Sequence, residues 1–173
     1  MIEVSKAKGS YIYDNDNNRY LDFVAGVSAC SVGHCNEEVI NAIRSQSEKY
    51  MHVMVYGEFV TKPSLDLAKL LDKNLPNSLN CTYFTNSGTE ALEGSMKLAR
   101  RHTGRKKIIA AKNAYHGSTM GALTLMGLDD RKKPFEPLIP DVEFIEFNSF
   151  QDIRKIDEKT SCVILETIQG SAG

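Results

Sequence analysis

An excess of charge of either sign is missing from this chain. Lys and Arg number 21 against 22 Asp and Glu, a net charge of -1. That balance excludes a strongly basic nucleic-acid binder and an acidic solvating tail. No apolar run approaches the roughly 18 residues that a membrane-spanning helix requires. The opening Met1-Ile-Glu-Val-Ser-Lys6 lacks the basic-then-apolar layout of a secretory signal. The expectation is a cytoplasmic protein with neither nucleic acid nor membrane as a partner. Cysteine is sparse, 4 in all: Cys30 and Cys35 lie on either side of His34, and Cys81 and Cys162 stand alone. A structural metal site needs two paired ligand motifs, so free thiols are expected. No Gly-Lys-Ser/Thr loop and no three-glycine dinucleotide fingerprint occurs, and neither a fixed-period repeat nor a low-complexity segment is present. What remains is an ordinary globular composition, 42% hydrophobic and 25% charged. At about 150 residues per domain, the chain makes one domain or slightly more.

Local patterns divide it further. Ser10-Tyr-Ile-Tyr13 and Arg19-Tyr-Leu-Asp-Phe-Val24 flank the turn formers Asp14-Asn-Asp-Asn-Asn18, a hairpin signature. Asn36 can cap a helix running to about Tyr50, and Pro63 opens a second helix with Leu67, Leu70 and Leu71 on its apolar face. After Pro76 the pattern alternates. Strands are expected at Cys81–Thr85, Lys107–Ala111, Val142–Glu146 and Cys162–Glu166, with helices at Thr89–His102, Thr119–Met126 and Phe150–Ile156 between them. Such alternation implies an α/β domain with a mainly parallel sheet. Arg100, Arg101, Arg105, Lys106 and Lys107 gather at a helix C-terminus and the loop after it, where cations complement the helix dipole.

Chemistry concentrates in three polar loops, each just past an expected strand. In Thr85-Asn-Ser-Gly-Thr-Glu-Ala-Leu-Glu93, Ser87 and Glu90 have capping-box spacing. Gly88 lacks a Cβ, so a ligand can approach its backbone, and the free N–H groups of a helix start receive anions. Ser87 and Thr89 would add hydroxyl donors. A plain helix cap explains the same residues equally well. In Asn113-Ala-Tyr-His-Gly-Ser-Thr119, Tyr115 can stack on a flat ring or pack on the core, with Gly117 making a sharp turn. In Glu166-Thr-Ile-Gln-Gly170, the Glu166 carboxylate must reach solvent or order a polar site. Three such loops on one sheet edge would make a composite site.

Together these residues resemble the class III, ornithine-type aminotransferases, which use pyridoxal 5'-phosphate (PLP). Gly9 to Phe23 is similar to the family's opening. Val32-Gly-His-Cys-Asn36 resembles its Gly-His-x-x-Pro segment, with Glu37 in place of proline. Thr85-Asn-Ser-Gly-Thr-Glu-Ala91 is the most specific match; Asn113-Ala-Tyr-His-Gly117 and Glu166-Thr-Ile-Gln-Gly170 complete the order, with Thr167 where proline is common. The resemblance implies a fold-type I PLP-dependent transferase. It assigns residues 1–35 to an N-terminal hairpin segment of the small domain, 36–76 to linking helices, and 77–173 to the first part of the PLP-binding large domain. It further implies that Ser87, Gly88 and Thr89 bind the cofactor phosphate and that Tyr115 stacks on its ring. His116 would border the site, and Glu166 would support the polar network at the pyridine nitrogen. Val27, Tyr56 and Ser118 would meet substrate.

The activity implied is transfer of an amino group from a small-molecule donor to a 2-oxo acid acceptor, in a homodimer. The family's pyridine-pairing aspartate and cofactor-carrying lysine have no counterpart before Gly173. The expectation is therefore the N-terminal part of a longer enzyme, inactive alone. Ser118 stands where acetylornithine-specific members carry arginine, Val27 where ornithine-specific members tend to carry tyrosine, and Ser171 where many members carry glutamate. The expected donors are other ω-amino compounds or amines. Two alternatives stay open: an aminomutase or racemase with the same fold and cofactor, and a non-enzymatic α/β domain that binds a phosphate ligand.

Overall fold

Turn formers and apolar runs organise the chain much as their spacing suggests. A computed structural model of the protein describes residues 1–54 and 56–172. It contains two compact units, Met1–Asn80 and Cys81–Gly173.

The first unit opens with an antiparallel sheet in the order β1 (Val4–Lys8), β2 (Tyr11–Asp14), β3 (Arg19–Leu21). The hairpin turn holds because Asp14 Oδ1 accepts the N–H groups of Asp16 and Asn18 at 3.0 and 2.9 Å, while Tyr20 donates its hydroxyl to Oδ2 at 2.8 Å. β1 was not expected from Val4-Ser-Lys-Ala-Lys8, which has little apolar character; it forms because the β2 edge is available to pair with it. Beyond β3, Ala25, Gly26, Val27 and Ser28 all take positive φ, from 48 to 67°. Consecutive left-handed residues are costly, most of all at β-branched Val27. Gly9 and His34 then exchange backbone hydrogen bonds at 2.9 and 2.8 Å. His34 Nε2 sits 2.6 Å from Asp22 Oδ2, and this pairing holds the Asp22 carboxyl below its ordinary pKa, helped by the N–H groups of Ala25 and Val24. α1 (Glu37–Ser47) starts at Asn36, whose side chain accepts from Glu38 and Val39 N–H. α2 (Lys62–Asn74) carries Pro63 in its first turn. Neither helix contains a buried residue.

The second unit is α/β. Its elements are α3 (Gly88–Thr103), β4 (Lys107–Ala111), α4 (Met120–Thr124), α5 (Asp129–Lys132), β5 (Val142–Ile145) and β6 (Thr160–Ile164), with 3₁₀ turns at Lys133–Phe135 and Phe150–Lys155. The sheet is parallel in the order β5-β4-β6. Central β4 is buried on both faces. Ile108 and Ala110 cluster with Met96 and Leu125, while Ile109 and Ala111 cluster with Ala114 and Ile145. A strand covered on both sides reads as a continuous apolar run.

Cys81–Thr85 forms no strand, contrary to expectation. Its residue preferences favour a strand, but among the described residues no ladder includes this segment. The helix expected over 150–156 is a 3₁₀ turn. α3 ends at left-handed Gly104. The cations on either side of it do more than face solvent: Arg100 donates to the Lys106 and Pro140 carbonyls, Arg105 to that of Thr160, and Lys107 to the Asp157 carboxylate. All the cysteines are free thiols.

Candidate active site

The site begins at the N-terminus of α3. Ser87 is the N-cap, and its Oγ accepts the Glu90 N–H at 3.3 Å. Glu90 Oε2 in return accepts the Asn86 N–H at 2.8 Å and the Ser87 hydroxyl at 3.2 Å. This reciprocal box satisfies Glu90 and Asn86 but leaves the Gly88 and Thr89 N–H groups, in the first helical turn, with no intrahelical acceptor. They sit at the positive end of a 16-residue helix. A Cβ added to Gly88 would meet nothing within 4 Å. Neither strain nor protein packing requires glycine there; the open side can admit an anion close to the backbone.

The two neighbouring hydroxyls differ from expectation. Ser87 points its hydroxyl at Glu90, and Thr89 Oγ1 lies 2.7 Å from Thr119 Oγ1. Both are taken up by protein partners, so the amides are the donors free to meet an anion.

The aromatic loop lies directly against this helix end. Gly117 has φ of 127°, and a Cβ on it would come within 2.5 Å of the Thr89 side chain. Glycine is required twice over, by conformation and by contact. The loop follows β4, so it leaves the C-terminal edge of the sheet, as does the Glu166 segment after β6. Glu166 joins the two: Oε1 accepts the Tyr115 N–H at 2.8 Å and Oε2 the Gly170 N–H at 2.9 Å. Buried Gln169 donates to the Lys112 carbonyl at 2.7 Å. Tyr115 is 41% exposed, with its hydroxyl 3.2 Å from Ser118 Oγ, so its ring is available to a ligand instead of packed in the core. His116 Nε2 is buried with no hydrogen-bond partner among the described residues. Burial lowers the His116 pKa, and the nearby Glu166 charge opposes that shift.

Ser87, Gly88, Thr89, Tyr115, His116, Ser118 and Glu166 all belong to the Cys81–Gly173 unit, where the helix end, the aromatic loop and the Glu166 segment are bonded or packed to one another. Val27 and Tyr56 belong to the Met1–Asn80 unit. Each is almost fully exposed, at 86% and 89%, and Val27 has the left-handed backbone already noted. Sequence reasoning assigned no role to Glu93, which accepts hydrogen bonds from Thr119, Gly121 and Ala122. The available signal was its spacing: Glu93 follows Thr89 by four residues and therefore shares its helix face.

Comparison with known proteins places the chain in a family. The family model "Aminotransferase class-III" matches residues 1–173. Acetylornithine aminotransferase of Archaeoglobus fulgidus is 41% identical over 99% of this chain. The solved adenosylmethionine-8-amino-7-oxononanoate aminotransferase of Methanocaldococcus jannaschii superposes over 100% of this chain and 43% of its own, with a TM-score of 0.90 and 32% identity. Ornithine aminotransferase of Toxoplasma gondii, a structure with PLP at partial occupancy in its active site, superposes over 98% of this chain and 42% of its own, with a TM-score of 0.82 and 29% identity. The chain thus spans less than half the length of these relatives, 45% for the Archaeoglobus protein. The α/β unit has the parallel-sheet arrangement of fold-type I transferases. By sequence and by fold, over its whole length, the chain belongs to the class III aminotransferases.

Proposed function

We propose that this chain forms the cofactor-phosphate end of a PLP-dependent transaminase, which moves an amino group from an ω-amino compound or amine to a 2-oxo acid. The observation that carries this reading is the pair of open N–H groups at Gly88 and Thr89, with an aromatic loop braced against them. Bound there, PLP supplies an electron sink for the carbon that bears the substrate amine. The Gly88 and Thr89 amides receive its phosphate, and the positive helix end offsets the phosphate charge. Tyr115 offers its ring as a stacking surface, tethered through its own N–H to Glu166. Burial favours the neutral His116 ring, whose buried Nε2 would accept or donate to a polar group of the bound ligand. The fit rests on those open amides and on that buried, unpartnered nitrogen.

The same reading assigns Val27, Tyr56 and Ser118 to the donor side. It divides the chain at 1–35, 36–76 and 77–173, and makes the full-length enzyme a cytoplasmic homodimer. Its support is the family match together with the balanced charge.

Titration of the full-length apoenzyme with PLP tests the proposal. Gly88→Val fills the open space beside the amides without removing any bond, so folding should change little. Losing close approach to the two N–H donors is expected to weaken PLP binding by about tenfold or more. An unchanged affinity in Gly88→Val would remove Gly88 from the phosphate site.

A further inference from the structure

Glu93 occupies a position that helix capping alone does not explain. Its Oε1 accepts the Thr119 hydroxyl at 2.6 Å, the Gly121 N–H at 2.8 Å and the Ala122 N–H at 3.3 Å. Thr119 is the N-cap of α4, yet its own side chain caps nothing. A carboxylate from α3 therefore caps a different helix. Gly121 is buried, and a Cβ there would collide with the Glu93 carboxylate.

Proton accounting carries the argument further. A threonine hydroxyl has one proton, and that of Thr119 goes to Glu93, because an ionised carboxylate only accepts. The 2.7 Å contact between Thr119 Oγ1 and Thr89 Oγ1 must then use the Thr89 proton. Thr119 N–H closes the ring by pointing back to Thr89 Oγ1 at 3.4 Å. Glu93 thereby sets the direction of the hydroxyl–hydroxyl bond between the anion end of α3 and the end of the aromatic loop. At its other end, the loop is held by Glu166 through the Tyr115 N–H. Tyr115 to Ser118 are thus suspended between two carboxylates from different parts of the chain.

We propose that Glu93 is a positioning residue. Acting through Thr119 and Thr89, it fixes Tyr115 and His116 against the phosphate end of α3, so that one ligand can engage both the helix amides and the aromatic loop. This rests on the reading that the site binds PLP. The inference separates two affinities. Inorganic phosphate needs only the Gly88 and Thr89 amides, whereas PLP also needs the loop.

The test uses full-length apoenzyme, with PLP titrated spectroscopically and inorganic phosphate titrated calorimetrically. Loss of the charge-assisted contacts in Glu93→Leu is expected to weaken PLP binding about tenfold or more, with phosphate affinity changed less than about twofold. Glu93→Gln keeps an acceptor oxygen and should stay within about threefold of wild type for both ligands. Thr119→Val breaks the link while leaving Glu93 to cap Gly121 and Ala122. It should reproduce the split, and it serves as the test if Glu93→Leu does not fold. Equal loss of both affinities, or unchanged PLP affinity in Glu93→Leu and Thr119→Val, overturns the role of Glu93. A wild-type apoenzyme that binds phosphate but not PLP overturns the functional reading instead.

Discussion

Ser118 brings a short neutral hydroxyl to a loop where acetylornithine-specific enzymes of the family carry arginine, and its Oγ already faces the Tyr115 hydroxyl at 3.2 Å. It cannot form the bidentate pair that guanidinium makes with a carboxylate. The Archaeoglobus relative, at 41% identity, is nonetheless an acetylornithine aminotransferase, so overall similarity and this residue point in opposite directions. Loss of a charge-assisted contact costs about 1.5–3 kcal/mol, roughly one to two decades in specificity. In the full-length enzyme, kcat/KM for acetylornithine should therefore fall below that for simple ω-amines, and Ser118→Arg should raise it. A value for acetylornithine at or above every ω-amine assayed would show that other groups bind the substrate carboxylate. His116 gives a second expectation, readable without substrate. Burial lowers its pKa in the folded protein, with Glu166 opposing. As pH falls below the ordinary histidine value of about 6.5, the unfolded chain takes up a proton that the folded chain resists. Protonation then favours unfolding, so the stability that the neutral ring contributes is complete above that value and declines beneath it. Apoenzyme melting midpoints measured from pH 8 to pH 5.5 should drop more steeply for wild type than for His116→Gln; parallel curves would refute the assignment. At this scale the sequence was a good guide to which residues gather. Ser87, Gly88, Tyr115 and Glu166, each expected just past a strand, lie in one unit of the structure. Hydroxyl direction was not legible, because the Thr89 proton is set by Glu93 and Thr119, one of which is thirty residues away in sequence.

Among the elements, β4 explains what could be read. Its bounds, Lys107–Ala111, follow from an apolar run, and a run without alternation means burial on both faces. The misreading of Cys81–Thr85 shows the limit of such reading. Its residues suit a strand, yet the outer edges of β5 and β6 do not take it up among the described residues. Side-chain preference is local and edge availability is not. α4 was anticipated as longer, and its start depends on a cap supplied by another helix. Ile109 tests the weight of the central strand. It is fully buried among Ala111, Ala114 and Ile145, small or rigid neighbours that collapse poorly into a void. Ile109→Ala should cost about 2–5 kcal/mol, measured as a shift in denaturant midpoint at constant slope. A cost below about 1 kcal/mol would mean that the site relaxes around the loss.

Across the whole chain, lysine chemistry bears on what these 173 residues do by themselves. A lysine that attacks a carbonyl needs its amine free of a proton, and a neighbouring carboxylate works against that. Lys107 has a raised pKa, chiefly from its hydrogen bond to Asp157, and Lys112 likewise from Glu146. Buried Lys132 is paired to Asp129 and lies over the Phe144 ring. These lysines are poor amine nucleophiles, and a chain of these residues alone, which spans 45% of the Archaeoglobus relative, should show no transaminase turnover. Borohydride treatment in the presence of PLP, followed by peptide mapping, should find no stoichiometric adduct at a single lysine; one such adduct would overturn the expectation. The two units differ in another respect. Among the described residues, burial is confined to the second, with the amides of Ile108 and Lys112 bonded to the Asp141 and Ile145 carbonyls at either end of β4, whereas α1 and α2 bury nothing. Placed in heavy water, such a molecule keeps two clocks. Deuterium would enter the first unit sooner than the second, and the hydrogens of one five-residue strand would be the last to leave, making β4 the slowest hand by which the opening of the protein can be timed.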